Sequence, residues 1–219
     1  MIIHFLQRAR LAVPCLALCL ALLQGCSTMS GWFGGEEKPP CRVLDPNIAQ
    51  TYVGECAGDL AQGMGKATGK DSYEGMFEQG LPNGRGVYSW ADGSRYEGEF
   101  VKGVITGFGA KVFPDGRSYE GEFREGLENG RGVATSARGS RYEGEFRDGY
   151  IQGAGSVTYF NGDRYEGQFA KNQFNGTGVY TATDGKKRKG LWENSVFVGE
   201  PKAKKKTASK KKTKKTKKK

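Results

Sequence analysis

Five of the ten tyrosines of the chain recur every 23 residues, and each of these five opens the pattern Tyr-Glu-Gly-x-Phe. Side chains along a strand point alternately to its two faces, so Tyr96, Gly98 and Phe100 share one face and the glutamates the other. An earlier copy begins at Tyr52, and a partial copy spans residues 188–192. The pattern predicts a series of short strands. Its full copies begin at Tyr73, Tyr96, Tyr119, Tyr142 and Tyr165.

Glycine-containing dipeptides predict the turns between these strands. Asn83-Gly84 predicts one turn and Asp92-Gly93 the other, because tight hairpin turns need residues that tolerate a positive φ. Each repeat is therefore predicted to be a hairpin with one aromatic and one charged face. A single hairpin is only marginally stable in water, so the hairpins are expected to stack edge to edge. The turn dipeptides recur at 115–116, 129–130, 161–162, 175–176 and 184–185.

Stacking buries a continuous row of rings on the aromatic face. Burying each ring contributes roughly 1.5–3 kcal/mol. The strand glycines are predicted to lie beside the rings, where a Cβ would obstruct packing. The predicted structural aromatics are Tyr73, Phe77, Tyr96, Phe100, Tyr119, Phe123, Tyr142, Phe146, Tyr165 and Phe169.

The YEGEF pattern with its regularly spaced glycines and its period of 23 residues resembles the MORN repeat, named for membrane occupation and recognition nexus. The resemblance implies an all-β, elongated single-sheet solenoid of stacked β-hairpins with disordered termini. Residues 52–200 would hold six repeats and a partial seventh. With strands about 4.8 Å apart, equivalent positions recur every ~9.6 Å and six repeats span roughly 60 Å. The irregular first and last copies suit capping repeats.

The first 25 residues are predicted to be an export signal. Arg8 and Arg10 precede a 13-residue apolar run at 11–23, too short for the roughly 20 residues of a membrane-spanning helix. The following Leu-Gln-Gly-Cys, ending at Cys26, resembles a bacterial lipobox. The resemblance implies cleavage before Cys26 and anchoring through acyl chains such as palmitate. An ordinary signal peptide cut near Ser27, or an uncleaved anchor, remains the alternative.

Two further cysteines follow the lipobox. If Cys26 is acylated, Cys41 and Cys56 remain in an oxidising compartment. A bridge between them would close a loop of about 15 residues and stabilise the fold on the order of 3 kcal/mol. The alternative is two free thiols, with Cys56 serving as a small apolar residue. Residues 26–51 are otherwise interpreted as a linker.

Composition argues against an enzyme. The chain holds 35 glycines among 219 residues and one histidine, His4, which lies in the predicted signal peptide. No catalytic residue, cofactor or metal is predicted. The rows of glutamates are expected to form a solvated sheet face. Arg95, Arg141 and Arg164 are expected to pair with these glutamates across strands, each pair contributing tenths of a kcal/mol.

The net charge of +10 is dominated by the tail, residues 201–219, which holds 12 lysines and no acid. Residues 26–200 carry a net charge of −4. The tail is predicted to be disordered and to bind polyanions without sequence preference; a solubilising tail with no partner is the alternative. The residues expected to contact polyanions are Lys204, Lys205, Lys206, Lys210, Lys211, Lys212, Lys214, Lys215, Lys217, Lys218 and Lys219.

These features together predict a non-enzymatic, lipid-anchored protein of the bacterial cell envelope. Ser27 after the lipobox cysteine favours the outer membrane facing the periplasm over the inner membrane. The solenoid would act as a spacer or protein-interaction scaffold, and the tail would contact anionic envelope polymers or headgroups rather than a specific nucleic acid. The alternative is a phospholipid-headgroup-binding module acting through the repeats, which the acidic body disfavours. An enzyme is the least favoured class, because no residues remain for a catalytic domain.

Overall fold

A computed structural model describes residues 40–200. They form one antiparallel sheet of 14 strands in which every strand pairs with its neighbours in the sequence. The predicted all-β fold of stacked hairpins is confirmed. The strands are β1 Thr51–Ala57, β2 Leu60–Thr68, β3 Ser72–Glu78, β4 Leu81–Ser89, β5 Arg95–Val101, β6 Val104–Val112, β7 Ser118–Arg124, β8 Leu127–Thr135, β9 Arg141–Arg147, β10 Tyr150–Thr158, β11 Arg164–Ala170, β12 Gln173–Thr181, β13 Lys187–Glu193 and β14 Val196–Gly199.

Two residues with positive φ close every hairpin after the first, in which only Gly58 has a positive φ. Between β3 and β4 they are Gln79 and Gly80, with φ of 50° and 79°, as a two-residue turn that matches the twist of the strands requires. The Gly80 N–H also donates to the carbonyl of Ala61 in the preceding hairpin, at 2.9 Å. From β4 onward, the connections from one hairpin to the next use a turn of the predicted Asp92-Gly93 type, with a positive φ at Gly93, Gly116, Gly139, Gly162 and Gly185. Equivalent hydrogen bonds between hairpins come from Gly103, Gly126, Gly149, Asn172 and Ser195.

The prediction that Asn83-Gly84 forms a turn is wrong. Both residues lie inside β4, where the register with β3 shifts between Gly75 and Phe77. Gly84 has a φ of 76°, so the Asn-Gly pair serves a β-bulge instead of a hairpin turn. The register also shifts in the other full hairpins, whereas the ladders that join one hairpin to the next are regular.

The aromatic face forms the core. Tyr96 meets Phe100 of its own strand with ring centroids 5.3 Å apart, and Phe123 of the next hairpin at 5.1 Å, both edge to face. Edge-to-face pairs contribute about 0.5–1.5 kcal/mol beyond burial. All ten predicted structural aromatics are buried, as the alternation of each strand requires. Because each of the five repeat tyrosines touches rings of two hairpins, the core is continuous along the sheet.

The glycines and bulges explain how large rings fit on a single sheet. A Cβ built at Gly75 would lie 2.5 Å from the Cα of Gly86 and 2.6 Å from the Oη of Tyr73, so only glycine lets the ring lie flat across both strands. The Tyr73 hydroxyl donates to the carbonyl of Met76 at 2.9 Å. Met76 stands within the bulge, so the hydroxyl provides a partner for a carbonyl at the interrupted part of the ladder.

The residues before β1 lie across the first two hairpins. Ile48 is completely buried, and the Leu44 N–H donates to the carbonyl of Gly80 at 2.8 Å. The structure joins Cys41 to Cys56 of β1, with their Cα atoms 5.8 Å apart, within the usual separation for a disulfide. This segment therefore covers the N-terminal end of the aromatic row.

Candidate interaction surface

A long groove follows the charged face of the sheet. It encloses about 2070 Å³ and extends from Lys66 of β2 to Lys187 of β13. Backbone of paired strand glycines, including Gly86 and Gly98, forms part of its floor. The rings on the opposite face are buried against these same glycines. The sheet therefore presents a continuous polar surface whose position depends on the aromatic core behind it.

One row of this surface carries a glutamate on every second strand. The strand between each pair of glutamates presents a smaller side chain, such as Val87 opposite Glu97 and Ala110 on its other side. Alternate strands lie about 9.6 Å apart, which is the spacing of the carboxylates along the groove. We call these residues the glutamate row: Glu74, Glu97, Glu120, Glu143 and Glu166.

The arginines pair with the glutamate row along the strands. Arg95 lies 2.8 Å from Glu97 of the same strand, and the pairs Arg141–Glu143 and Arg164–Glu166 repeat this contact at 2.7 and 3.2 Å. The prediction that these arginines pair across strands is therefore wrong.

The residues opposite Arg95 explain why it pairs along its own strand. Ser89 and Val112 stand opposite Arg95 in the two neighbouring strands, and neither offers a carboxylate. The glutamate two residues along the strand shares the face of Arg95 and is the acid that its guanidinium reaches. Both partners are more than half exposed, so each pair contributes at most about 1 kcal/mol.

The groove is nearly balanced in charge. Its lining includes six glutamates and seven arginines or lysines. A balanced surface exerts no strong net attraction on a polyanion or a polycation. In residues 40–200 there is no group of three or more His, Cys, Asp or Glu side chains that could hold a metal ion. The surface is therefore suited to polar contacts spread over several hairpins.

Apolar residues in the groove were missed by the sequence reasoning. Phe108 is 62% exposed and stands at the repeat position that Arg85 and Arg131 occupy in neighbouring hairpins. Comparing residues 23 positions apart would have identified it. The same reasoning missed two hydrogen bonds on the aromatic side, from the Tyr88 hydroxyl to Asp71 at 3.0 Å and from the Tyr180 hydroxyl to Asp163 at 2.6 Å.

Burial changes the acidity of the tyrosines. Desolvation raises the pKa of Tyr96 and of Tyr142 to about 12, because the tyrosinate would lose its hydration. The hydrogen bond to Asp163 is the main cause that raises the pKa of Tyr180 to about 12. The same contact lowers the pKa of Asp163. These tyrosines therefore retain their protons to a higher pH than exposed tyrosines do.

The remaining predicted site residues lie outside the described part of the chain. These are the lipid attachment residue Cys26 and the tail lysines between Lys204 and Lys219. The structure has no bilayer-spanning apolar helix within residues 40–200.

Comparisons with known proteins identify the family to which the repeats belong. Five consecutive segments match the family model described as MORN repeat: 73–95, 96–116, 119–141, 142–164 and 165–187. No curated protein matches the chain. Among solved structures, it is similar to the SAS-4 TCP domain of Drosophila melanogaster, solved with a proline-rich motif of Ana2. The identity is 9%, the TM-score is 0.38, and the match covers 70% of this chain and 89% of that one.

Proposed function

Because the chain belongs to the MORN repeat family, we propose that it is a non-enzymatic lipoprotein of the bacterial envelope, tethered through Cys26. Its repeats serve as a spacer or scaffold for protein partners, and its lysine tail contacts anionic envelope polymers or headgroups. The observation that carries the scaffold role is the charged groove. It repeats over most of the sheet, whereas the rings of the opposite face are buried and cannot contact a partner.

The two ends of the sequence support the envelope role. The lipobox-like residues end at Cys26, and 12 lysines occupy residues 201–219. A lysine near an anionic surface contributes about 1 kcal/mol, and this attraction falls off within a Debye length of about 8 Å. Two acyl chains give stable anchoring. A protein with both features would connect a membrane to an anionic polymer.

Envelope extraction tests the two attachments separately. Cells would express the full chain, Cys26→Ser, and Cys26→Ser with all 12 tail lysines changed to glutamine or, as the matched control, to arginine. We expect Cys26→Ser to sediment with envelope fractions at low salt and to be released at high salt. The arginine tail should behave like lysine, whereas the glutamine tail should be released at low salt. Equal release of the glutamine and arginine variants would contradict the role of the tail.

The anchor itself is tested by mass spectrometry of the protein isolated from cells. The N-terminal peptide should begin at Cys26 and carry acyl chains, and Cys26→Ser should yield no acylated peptide. An unmodified terminus near Ser27 would support an ordinary signal peptide instead.

The Cys41–Cys56 bridge would fix the linker to the first hairpin. Non-reducing peptide mapping should recover both cysteines in one cross-linked peptide. The Cys56→Ser variant is expected to lower the free energy of unfolding by about 3 kcal/mol, because the loop of about 15 residues is no longer closed. Equal denaturation midpoints for this variant and the oxidised parent would contradict a stabilising role.

Headgroup binding through the repeats is the second candidate. Val104, Leu127 and Tyr150 are 47%, 47% and 52% exposed at the same position of three successive hairpins, and such a row could contact a lipid surface. The chain with a glutamine tail and Cys26→Ser would then bind anionic vesicles. Leu127→Lys should abolish this binding, and Val112→Lys, at an exposed valine outside the row, should leave it unchanged. No binding by the glutamine-tail chain would exclude this function.

A further inference from the structure

The two ends of the sheet differ in how well their outer edges are protected against pairing with another strand. The N-terminal end is β1, Thr51–Ala57, and the C-terminal end is β14, Val196–Gly199. An edge strand leaves a row of backbone N–H and C=O groups unpaired, and proteins protect such edges with short strands, lysines or proline. Only the C-terminal edge carries these protections.

The C-terminal edge combines all three. β14 has four residues, whereas every other second strand of a hairpin has nine. The neighbouring β13 begins with Lys187, Arg188 and Lys189, which have no partners in β14. By the period of 23 residues, Pro201 stands at the position of Gly178, which pairs with β13. Because a proline has no N–H to donate, further pairing at this end is disfavoured.

The N-terminal edge has none of these features. β1 is as long as β3 and β5, its only charged side chain is Glu55, and it holds no proline. The segment before β1 makes its backbone hydrogen bonds to groups beyond this strand, such as those from Leu44 to Gly80 and from Gln50 to Thr68. Within residues 40–200, no strand pairs with the outer side of β1.

The outward backbone groups of β1 belong to Tyr52, Gly54 and Cys56. The Tyr52 ring lies over Gly54 and Gly65, between β1 and β2, and its hydroxyl donates to the carbonyl of Glu55 at 2.7 Å. The Glu55 carbonyl therefore points toward β2. Since successive residues of an antiparallel strand direct their N–H and C=O groups to opposite sides, Gly54 and Cys56 direct theirs outward. Tyr52 follows the same alternation.

We propose that β1 pairs with β1 of a second copy of this chain, antiparallel and centred on Gly54. In this register Gly54 stands opposite Gly54 and Tyr52 opposite Cys56 of the second copy, so the outward groups of all three residues have partners. Glycine also stands opposite glycine in every ladder that joins one hairpin to the next, such as Gly65 opposite Gly75. The new ladder would therefore repeat the existing ones.

The charged face fits the same register. Val53 of each copy would stand opposite Glu55 of the other, as Val87 stands opposite Glu97 in the ladder between β4 and β5. Val53 is 76% exposed and occupies the position at which all five full repeats carry a glutamate. A glutamate there would face Glu55 of the second copy, and like charges directly opposite are destabilising. The valine removes that repulsion, so the edge is complementary to itself.

The pairing joins two sheets of 14 strands into one continuous sheet. A two-fold axis passes between the two Gly54 residues, and each copy uses the same strand. The first hairpins lie at the centre of the assembly, and the two protected C-terminal edges lie at its outer ends. The assembly therefore closes at two copies. This pairing is independent of the envelope role proposed above and requires neither lipid attachment nor the lysine tail.

Sedimentation equilibrium of the full chain carrying Cys26→Ser tests the pairing, since this variant has no acyl chains that could bring copies together. We expect a reversible equilibrium between monomer and dimer. Val53→Glu restores the residue of the later repeats, so the fold should remain intact. It also places glutamates opposite each other, and we expect the Kd of the dimer to rise at least about tenfold.

Two further variants test the register. Adding Glu55→Lys to Val53→Glu places a lysine opposite each new glutamate and should restore the dimer. Val112→Glu changes an exposed valine on β6, away from β1, and should leave the Kd unchanged. A monomer at every concentration, or a dimer that Val53→Glu does not weaken, would overturn the proposal. Failure of Glu55→Lys to restore the dimer would overturn it as well.

Photocrosslinking identifies the strand that contacts β1. A benzophenone amino acid would replace Val53 in a mixture of isotopically labelled and unlabelled chains, which distinguishes crosslinks between copies from those within one chain. We expect crosslinks between copies that reach residues 53–57, and none of these when the same group replaces Val112. Crosslinks to residues 196–199 of another copy would indicate head-to-tail pairing, and crosslinks to residues 1–39 of the same chain would indicate a covered edge. Either result would overturn the proposal.

Discussion

The aromatic and charged faces of the sheet arise from the same repeat but obey different rules. Tyr96 is completely buried and touches rings of its own and the next hairpin. Its neighbour Glu97 is exposed and pairs with Arg95 of the same strand. The aromatic face therefore couples each hairpin to the next, whereas the three arginine pairs of the glutamate row remain within one strand and Lys66–Glu74 joins β2 to β3. This difference explains why Val53 and Phe108 are tolerated on the charged face without loss of the fold.

Alkaline pH should have the largest effect on stability, and it should act through the tyrosines of the aromatic face. Burial raises the pKa of Tyr96 and Tyr142 from 10.0 to about 12. Between these pH values the unfolded chain has released protons that the folded chain retains, so the free energy of unfolding falls as the pH rises. We expect full stability from these groups below pH 10 and unfolding at higher pH. Tyrosinate absorbance and circular dichroism should change together, and ionisation of these tyrosines near pH 10 in a folded sheet would contradict the coupling.

Removing one ring should have the next largest effect. Tyr96→Ala is expected to lower the free energy of unfolding by about 3–5 kcal/mol, because a fully buried aromatic leaves a cavity and ring contacts with two hairpins are lost. Urea denaturation measures the change. Glu97→Ala, one residue along the strand, is the matched control and should shift the free energy by no more than about 1 kcal/mol, the most that its exposed pair with Arg95 contributes. Similar losses in the two variants would contradict the division between faces.

Filling the space beside a ring should have a smaller effect. A Cβ at Gly98 would lie 2.5 Å from the Cζ of Tyr96 and 2.7 Å from the Cα of Gly109. Gly98→Ala is therefore expected to cost about 1–3 kcal/mol through overpacking, and thermal unfolding would measure the loss. Gly116→Ala offers a contrast, since nothing lies within 4 Å of its Cβ and only its φ of 84° is strained. If Gly116→Ala proves more damaging, turn strain outweighs ring packing.

The ion pairs should contribute least. A double-mutant cycle with Arg95→Ala and Glu97→Ala is expected to give a coupling free energy of about 0.2–1 kcal/mol that falls with added salt. The pair Arg95 and Glu120, which stand on different strands and make no salt bridge, is the control and should show no coupling. A coupling above 2 kcal/mol between Arg95 and Glu97 would show that the charged face also holds the sheet together.

The sequence alone could predict the core but not all of the connections. The positions of Tyr96 and Phe100 follow from the alternation of strands, and the fixed period assigns their equivalents in every repeat. The turn at Gln79 and Gly80 was missed because Gln is not a usual turn residue at positive φ. Asn83-Gly84 was assigned instead, since local sequence does not distinguish a bulge from a turn. The recurrence of glycine at 80, 103, 126 and 149 is the signal that could have identified the true turns.

The charged surface was less predictable because its pairing depends on three-dimensional register. Whether Arg95 meets a glutamate along or across strands depends on what stands opposite it, and Ser89 and Val112 become its neighbours only once the sheet is assembled. The balance of charge in the groove likewise requires knowing which side chains share it. Family membership identifies the repeats as those of a scaffold or membrane-binding repeat protein, while the partner depends on the particular side chains that this chain displays.

The regular ladders between hairpins have a consequence for how such a chain can change its length. Register shifts occur inside the full hairpins, and the ladders between hairpins remain regular. The junctions between successive hairpins therefore share the same pairing. Excising residues 119–141 would bring Gly116 and its turn directly to Tyr142, a junction equivalent to the original. Duplication or loss of a 23-residue block would therefore alter the length in steps of ~9.6 Å. The length of the sheet can therefore change by whole repeats without a new kind of junction between hairpins.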